Sequence, residues 1–200
     1  MNQTQRIEEI DIEYLGSLGA AELLRVVFEA YGDRAAIGTS LQKTGLVTID
    51  IASKLGIPFR VFFIDTLLNY PETYELLEEV EQRYDIRIER FAPTQEELDE
   101  LHNAWGQFPH YFARARCCLV RKSLPMKRAQ GTLDAWIAGL RADQSDHRRD
   151  SAQKVSWVFG EGGRKILKIN PLIDWTAEEI DQYTAENDLP YNKLYDYVSP

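Results

Sequence analysis

Two cysteines stand side by side at Cys117 and Cys118, the only two in a chain of 200 residues, inside the stretch RARCCLVRK. Arg114, Arg116, Arg121 and Lys122 flank them, and the basic run continues to Lys127 and Arg128 without an acid. Neighbouring cysteines make only a strained and uncommon disulfide, whereas thiolates beside Arg116, Arg121 and Lys122 are suited to hold iron. The plainer alternative is a pair of small core residues. The chain as a whole carries a formal charge of −9, so a basic niche within it points to a pocket for a small anion and not to a nucleic-acid surface.

Two further stretches have the composition of ligand-facing turns. In GTSLQKTG, from Gly38 to Gly45, small and hydroxyl residues allow a phosphate to approach the backbone, and Lys43 adds charge. The order of residues is not that of a P-loop, and an ordinary strand-to-helix turn is the alternative. In FIDTLLNYPETY, Asp65 and Thr66 fall at a strand end, where they either meet a nucleoside or cap the next helix.

These turns need a scaffold, and the hydrophobic pattern supplies one. AAELLRVVFEAYGDR has helical spacing and stops at Gly32. AAIGTS is a short apolar run, TGLVTIDIASKLG is helical, and FRVFFIDT reads as a buried strand. PETYELLEEVEQRYD opens as a helix at Pro71, IRIERFA is a strand, and TQEELDELHNAW is a helix. LVRKSLPMKRAQG reads as a helix interrupted at Pro125, and LDAWIAGL as a strand. KVSWVF and RKILKI form an antiparallel pair, and TAEEIDQYTAEND is a helix capped by Thr176 with Glu179 three residues on. Strands alternating with helices predict an α/β fold, a mostly parallel twisted sheet with helices on both faces. One domain over residues 1–200 is expected, with residues 1–20 as a possible N-terminal arm.

No apolar run reaches the roughly 18 to 20 residues that cross a bilayer, and the acidic N-terminus lacks a signal-peptide core, which places the expected location in the cytoplasm. His102, His110 and His147 share no metal-ligand spacing, and Trp105, Trp136, Trp157 and Trp175 read as core or loop anchors. The acidic runs between Glu72 and Glu100 read as solvated helix faces.

CCLVRKSLPMKRA, WIAGLRADQS and KINPLIDWTAEEIDQYTAENDLPYNKLY resemble, in order and distance, motifs of the phosphosulfate reductases, which reduce adenylyl sulfate or its 3′-phosphorylated form to sulfite. The resemblance runs from about Ala35 to the last residue. It implies an adenine nucleotide α-hydrolase fold and a role in sulfate assimilation, with thioredoxin or glutaredoxin as electron donor and a homo-oligomer as one possible state. It implies neither nucleic acid nor membrane as a partner. Family members that use adenylyl sulfate pair Cys-Cys with a later Cys-x-x-Cys around a 4Fe-4S cluster, so Cys117 and Cys118 imply two of its four ligands and adenylyl sulfate as substrate.

The later Cys-x-x-Cys and the tail cysteine that attacks sulfur are expected beyond the last residue of this sequence. The resemblance implies catalytic roles for Lys122, Arg121 and Arg141, with Lys122, four positions past Cys118, between cluster and sulfate. It implies substrate contacts from Ser40, Gln42, Lys43, Thr44, Gly45, Asp65, Thr66, Gly139, Gln144 and Ser145. The family usually has Arg-Arg where this chain has Arg141-Ala142, which puts a second guanidinium in doubt; Arg148 and Arg149 are candidates to order the loop that follows. Two other readings stay open: a reductase of the 3′-phosphorylated substrate, for which Lys43 is the evident extra cation, and a non-catalytic nucleotide-binding or cluster-carrying subunit.

Overall fold

The computed structural model describes residues 11–146 and 151–197. Among them, strands β1 (Ala35–Thr39), β2 (Arg60–Ile64), β3 (Ile88–Phe91), β4 (Ala135–Ala138), β5 (Val155–Phe159) and β6 (Lys165–Ile169) form one sheet in the order β3-β2-β1-β4-β6-β5. Neighbours are parallel except for β5 and β6, which pair antiparallel as the sequence indicates. The helices are α1 (Ile12–Ser17), α2 (Ala20–Tyr31), α3 (Lys43–Ser53), α4 (Pro71–Tyr84), α5 (Gln95–Trp105), α6 (Pro109–Phe112), α7 (Arg114–Cys118), α8 (Leu124–Gly131) and α9 (Ala177–Glu186). Of the expected arm, residues 1–10 lie outside the described residues, as do His147, Arg148 and Arg149; Leu15 and Leu18, at and after α1, are buried in the main core.

Side chains alternate across a strand, so each strand feeds two cores. Ala35 and Ile37 of β1, Val61 and Phe63 of β2, and Ala135 and Ile137 of β4 join a large core with Leu23 and Leu24 of α2, Leu46 of α3, Leu77 of α4 and Ile180 of α9. The other face is much less covered. There Ala36 and Phe62 pack with Trp136 and Ile64 against Ala129 and Met126 of α8. That unevenness matters, because a sheet face covered by one helix leaves an open cleft beside it.

Local signals fix several element ends. The Thr176 hydroxyl accepts from the Glu179 N–H at 3.2 Å while the Glu179 carboxylate accepts from the Thr176 N–H at 2.7 Å, the reciprocal cap expected at α9. The interruption expected at Pro125 takes a specific form: residues Leu119–Ser123 make a π-turn in which the Leu124 N–H donates to the Leu119 carbonyl. Proline lacks an N–H and its ring crowds the carbonyl four residues back, here that of Arg121, so widening the preceding turn relieves both problems without ending the helix. Trp157 and Trp175 pack on the main core, but Trp105, at the end of α5, is 48% exposed and is not a core residue. No helix among the described residues is long and apolar enough to cross a membrane.

Candidate active site

β1 has β2 on one side and β4 on the other, so the chain leaves the sheet in opposite directions from its carboxyl end, the place where open α/β sheets bind ligands. Close packing there depends on absent side chains. A Cβ on Gly139, just past β4, would lie 2.9 Å from the Gly45 nitrogen and 3.0 Å from its Cα, so β4 exits directly against the first turn of α3. A Cβ on Gly38 would lie 2.6 Å from Phe62 Cζ and 2.7 Å from Trp136 Nε1, in the space those two rings occupy.

A cleft of about 610 Å³ opens on the thinly covered face. Its floor is Gly38, Phe62, Ile64 and Trp136; Thr39, Ser40, Thr66 and Asn69 close one side, and Lys122, Ser123, Met126, Lys127 and Gln130 line the helical side. No acid lines it, and neither Lys122 nor Lys127 has an ion-pair partner among the described residues. The apolar floor suits a planar base, and the unpaired lysines suit anionic groups.

The cysteine segment adjoins this cleft through Arg121. That side chain is only 6% exposed; its Nη1 donates to the Thr66 carbonyl at 2.9 Å and its Nη2 lies 3.3 Å from His102 Nε2, which turns the guanidinium away from the cleft. Arg121 therefore fastens the turn after β2 to the helix, while the next residue, Lys122, faces the cleft. Cys117 is buried and Cys118 exposed, both as free thiols, as expected for successive residues about 100° apart on a helix. Among the described residues no third Cys, His, Asp or Glu joins them in a metal-binding group. Two thiols with Arg116 beside them and no competing acid fit one half of a four-thiolate donor set.

The second turn is built, not open. Asp65 Oδ1 accepts from the Leu67 N–H at 2.9 Å, from Asn69 Nδ2 at 3.1 Å and from the Tyr74 hydroxyl at 2.8 Å, so its buried carboxylate shapes the loop that presents Thr66. Burial, and then this hydrogen bond, push the Tyr74 hydroxyl above its ordinary pKa and keep it a donor. Leu41 and Leu67, in the two ligand-facing turns, have φ of 58° and 56°, a left-handed conformation that costs any residue with a Cβ.

Across the β1–α3 turn lies a separate cleft of about 290 Å³, where Gln42, Lys43, Thr44, Arg141 and Gln144 meet Asp181 and Tyr195. Its cations are already matched: Lys43 Nζ is 2.6 Å from Asp181 Oδ1, and Arg141 Nε is 2.8 Å from Asp143 Oδ1 while its Nη1 donates to the Thr44 hydroxyl at 2.8 Å. The expected residues thus divide. Ser40, Thr66 and Lys122 converge on the larger cleft; Gln42, Lys43, Thr44, Arg141 and Gln144 line the smaller; Gly45 and Gly139 provide close packing; Asp65 and Arg121 support the walls; Ser145 lines neither. Sequence reading missed Asn69, Trp136 and Lys127, although Lys122, Met126, Lys127 and Gln130 recur at the spacing of one helix face.

A cleft beside the strand-order switch of a mostly parallel sheet defines an open α/β fold of the kind that binds ligands there. Comparison narrows the class: the model of the phosphoadenosine phosphosulfate reductase domain matches residues 34–198, and the chain belongs to that family. An adenosine 5′-phosphosulfate reductase of Salinibacter ruber is 34% identical over 186 residues, covering 91% of this chain and 70% of that protein. The crystal structure of a phosphoadenylyl-sulfate reductase from Candida auris, a phosphate complex, superposes with a TM-score of 0.77 at 28% identity, over 93% of this chain and 90% of that one. An FMN adenylyltransferase from Candida glabrata shares the fold alone, with a TM-score of 0.60 at 12% identity over 98% and 65% of the two chains.

Proposed function

We propose that the chain binds adenylyl sulfate in the larger cleft and takes part in its thioredoxin-dependent reduction to sulfite and AMP. The observation that carries this reading is Lys122, unpaired and facing the same acid-free cleft as Ser40 and Thr66. The apolar floor of Phe62, Ile64 and Trp136 receives the base, and Lys122 meets the phosphosulfate.

Sulfur in a sulfate–phosphate anhydride is electrophilic, and AMP is its leaving group. A cysteine thiolate other than Cys117 and Cys118 forms an S–S bond to that sulfur as the S–O bond to phosphate breaks. The electron pair leaves on AMP, where the Lys122 ammonium stabilises the developing charge. A dithiol donor then releases sulfite and becomes a disulfide, so two electrons balance. Arg141 acts in this scheme through the turn, holding Thr44 while Asp143 holds it. Cys117 and Cys118 would supply two of the four thiolates of a 4Fe-4S cluster, which would tie this helix to the segment carrying the other two.

Calorimetric titration with adenylyl sulfate tests the substrate assignment: saturable one-to-one binding is expected, weakened about tenfold or more in Lys122→Ala. Absence of binding, or equal affinity in the variant, overturns it. Iron analysis of anaerobically prepared protein that includes the remaining thiolates, with loss of the broad visible band in Cys117→Ser, tests the cluster separately.

A further inference from the structure

Arg34, Arg60, Arg128, Arg141 and Arg164 each pair with a carboxylate at 2.7 to 2.9 Å. Arg121 does not, although it is buried. Among the described residues its side chain meets two acceptors that are not carboxylates, the Thr66 carbonyl at 2.9 Å and His102 Nε2 at 3.3 Å, and its Nε has no partner. A cation taken out of water without an opposite charge is costly, so the absence of an acid beside this one calls for a reason.

The pair fixes the state of the imidazole. A guanidinium has N–H donors, no acceptor, and stays protonated, so His102 Nε2 accepts and the ring is neutral with its proton on Nδ1. The ring is firmly placed: Leu98 and Leu101 bury the helix α5 that carries it. The Thr66 carbonyl that Arg121 grips belongs to a residue lining the larger cleft, so the positive charge stands directly behind the wall. A carboxylate at position 102 would hold the guanidinium equally well but cancel its field. A neutral acceptor orients the cation and leaves its charge in force.

We propose that His102 is a positioning residue for the anionic part of the bound nucleotide. As an uncharged acceptor it holds Arg121 against Thr66, and the uncancelled guanidinium attracts the ligand from behind the cleft wall. This rests on reading the larger cleft as the nucleotide site. Lys122 lines that cleft directly, whereas His102 acts only through Arg121.

The test titrates adenylyl sulfate into wild type, His102→Gln, His102→Leu and His102→Glu, with a thermal melt of each. His102→Gln keeps an uncharged acceptor and should bind within about twofold of wild type, while His102→Leu binds about fivefold more weakly. His102→Glu should melt no lower than wild type and still bind about fivefold more weakly, a combination that a merely structural role does not produce. In an Arg121→Met background His102→Leu should add no further loss, because the partner through which it acts is gone. Nitrogen NMR of isotopically labelled protein gives a readout without ligand: the histidine resonances absent from His102→Gln should report a proton on Nδ1. Wild-type affinity in His102→Leu or His102→Glu, equal losses in His102→Gln and His102→Leu, additive losses in the double variant, or a proton on Nε2 overturns the proposal while leaving the nucleotide site intact. Failure of wild type to bind adenylyl sulfate sinks both.

Discussion

The Arg121 guanidinium and the Thr66 carbonyl meet at 2.9 Å, joining the helix of the cysteine pair to the loop that closes one side of the larger cleft. Arg121 is buried with an unpartnered Nε and no carboxylate partner among the described residues. Replacing such a charge by an apolar side chain relieves desolvation but releases the loop. Arg121→Met should shift the thermal midpoint by less than about 4 °C, while affinity for adenylyl sulfate falls about tenfold, or about 1.4 kcal/mol. A large loss of stability with unchanged affinity, measured by melting and titration, would show that the contact is merely structural.

The two left-handed leucines should respond in opposite directions. Leu67 is half-exposed, so Leu67→Gly removes strain and little else and should raise stability by up to about 1 kcal/mol. Leu41 is buried in the main core; Leu41→Gly gives the same relief but leaves a cavity, for a net loss of about 2 to 3 kcal/mol. Urea melts of both variants check the signs.

Gly139→Ala should cost about 2 kcal/mol, because the new methyl meets backbone atoms of Gly45, which cannot rotate aside. Denaturation with an unaltered midpoint would mean that β4 and α3 do not approach as closely as described.

Acid stability should depend on Asp134. Its carboxylate is held below its ordinary pKa, first by the Arg34 hydrogen bond at 2.9 Å and then by Arg164 at 2.7 Å. A depressed carboxylate contributes stability above its unfolded value of about 3.9 and loses it as pH falls through the lower folded value. Asp134→Asn should therefore be less stable by about 2 kcal/mol near neutrality, and the gap to wild type should close below about pH 4. A gap that stays constant across the acid limb would remove the ion pair as its cause.

Near-neighbour chemistry was legible in the sequence. Thr176 with Glu179, Pro71 at the start of α4 and the alternating strand runs each act within a few residues, and the fold class followed from their order. Ser40, Thr66 and Lys122 were placed because each stands at a strand end or beside the cysteines. What stayed hidden acts across the fold. Lys43 finds Asp181 at 138 positions' remove, and no local pattern announces that this lysine is neutralised. Lys127 stood in the basic run that ends at Arg128, but its place on the cleft wall depends on how α8 lies along the sheet, and Trp105 lacked any sign that its helix would leave it exposed.

The five residues at Leu119–Ser123 work as a phase adjuster. Deleting Leu119 would restore an ordinary helical pitch and swing both sulfurs by about 100° around the axis relative to Lys127. The protein would keep every functional side chain and lose only their relative bearing. Any redesign of this segment must therefore conserve residue count before residue identity.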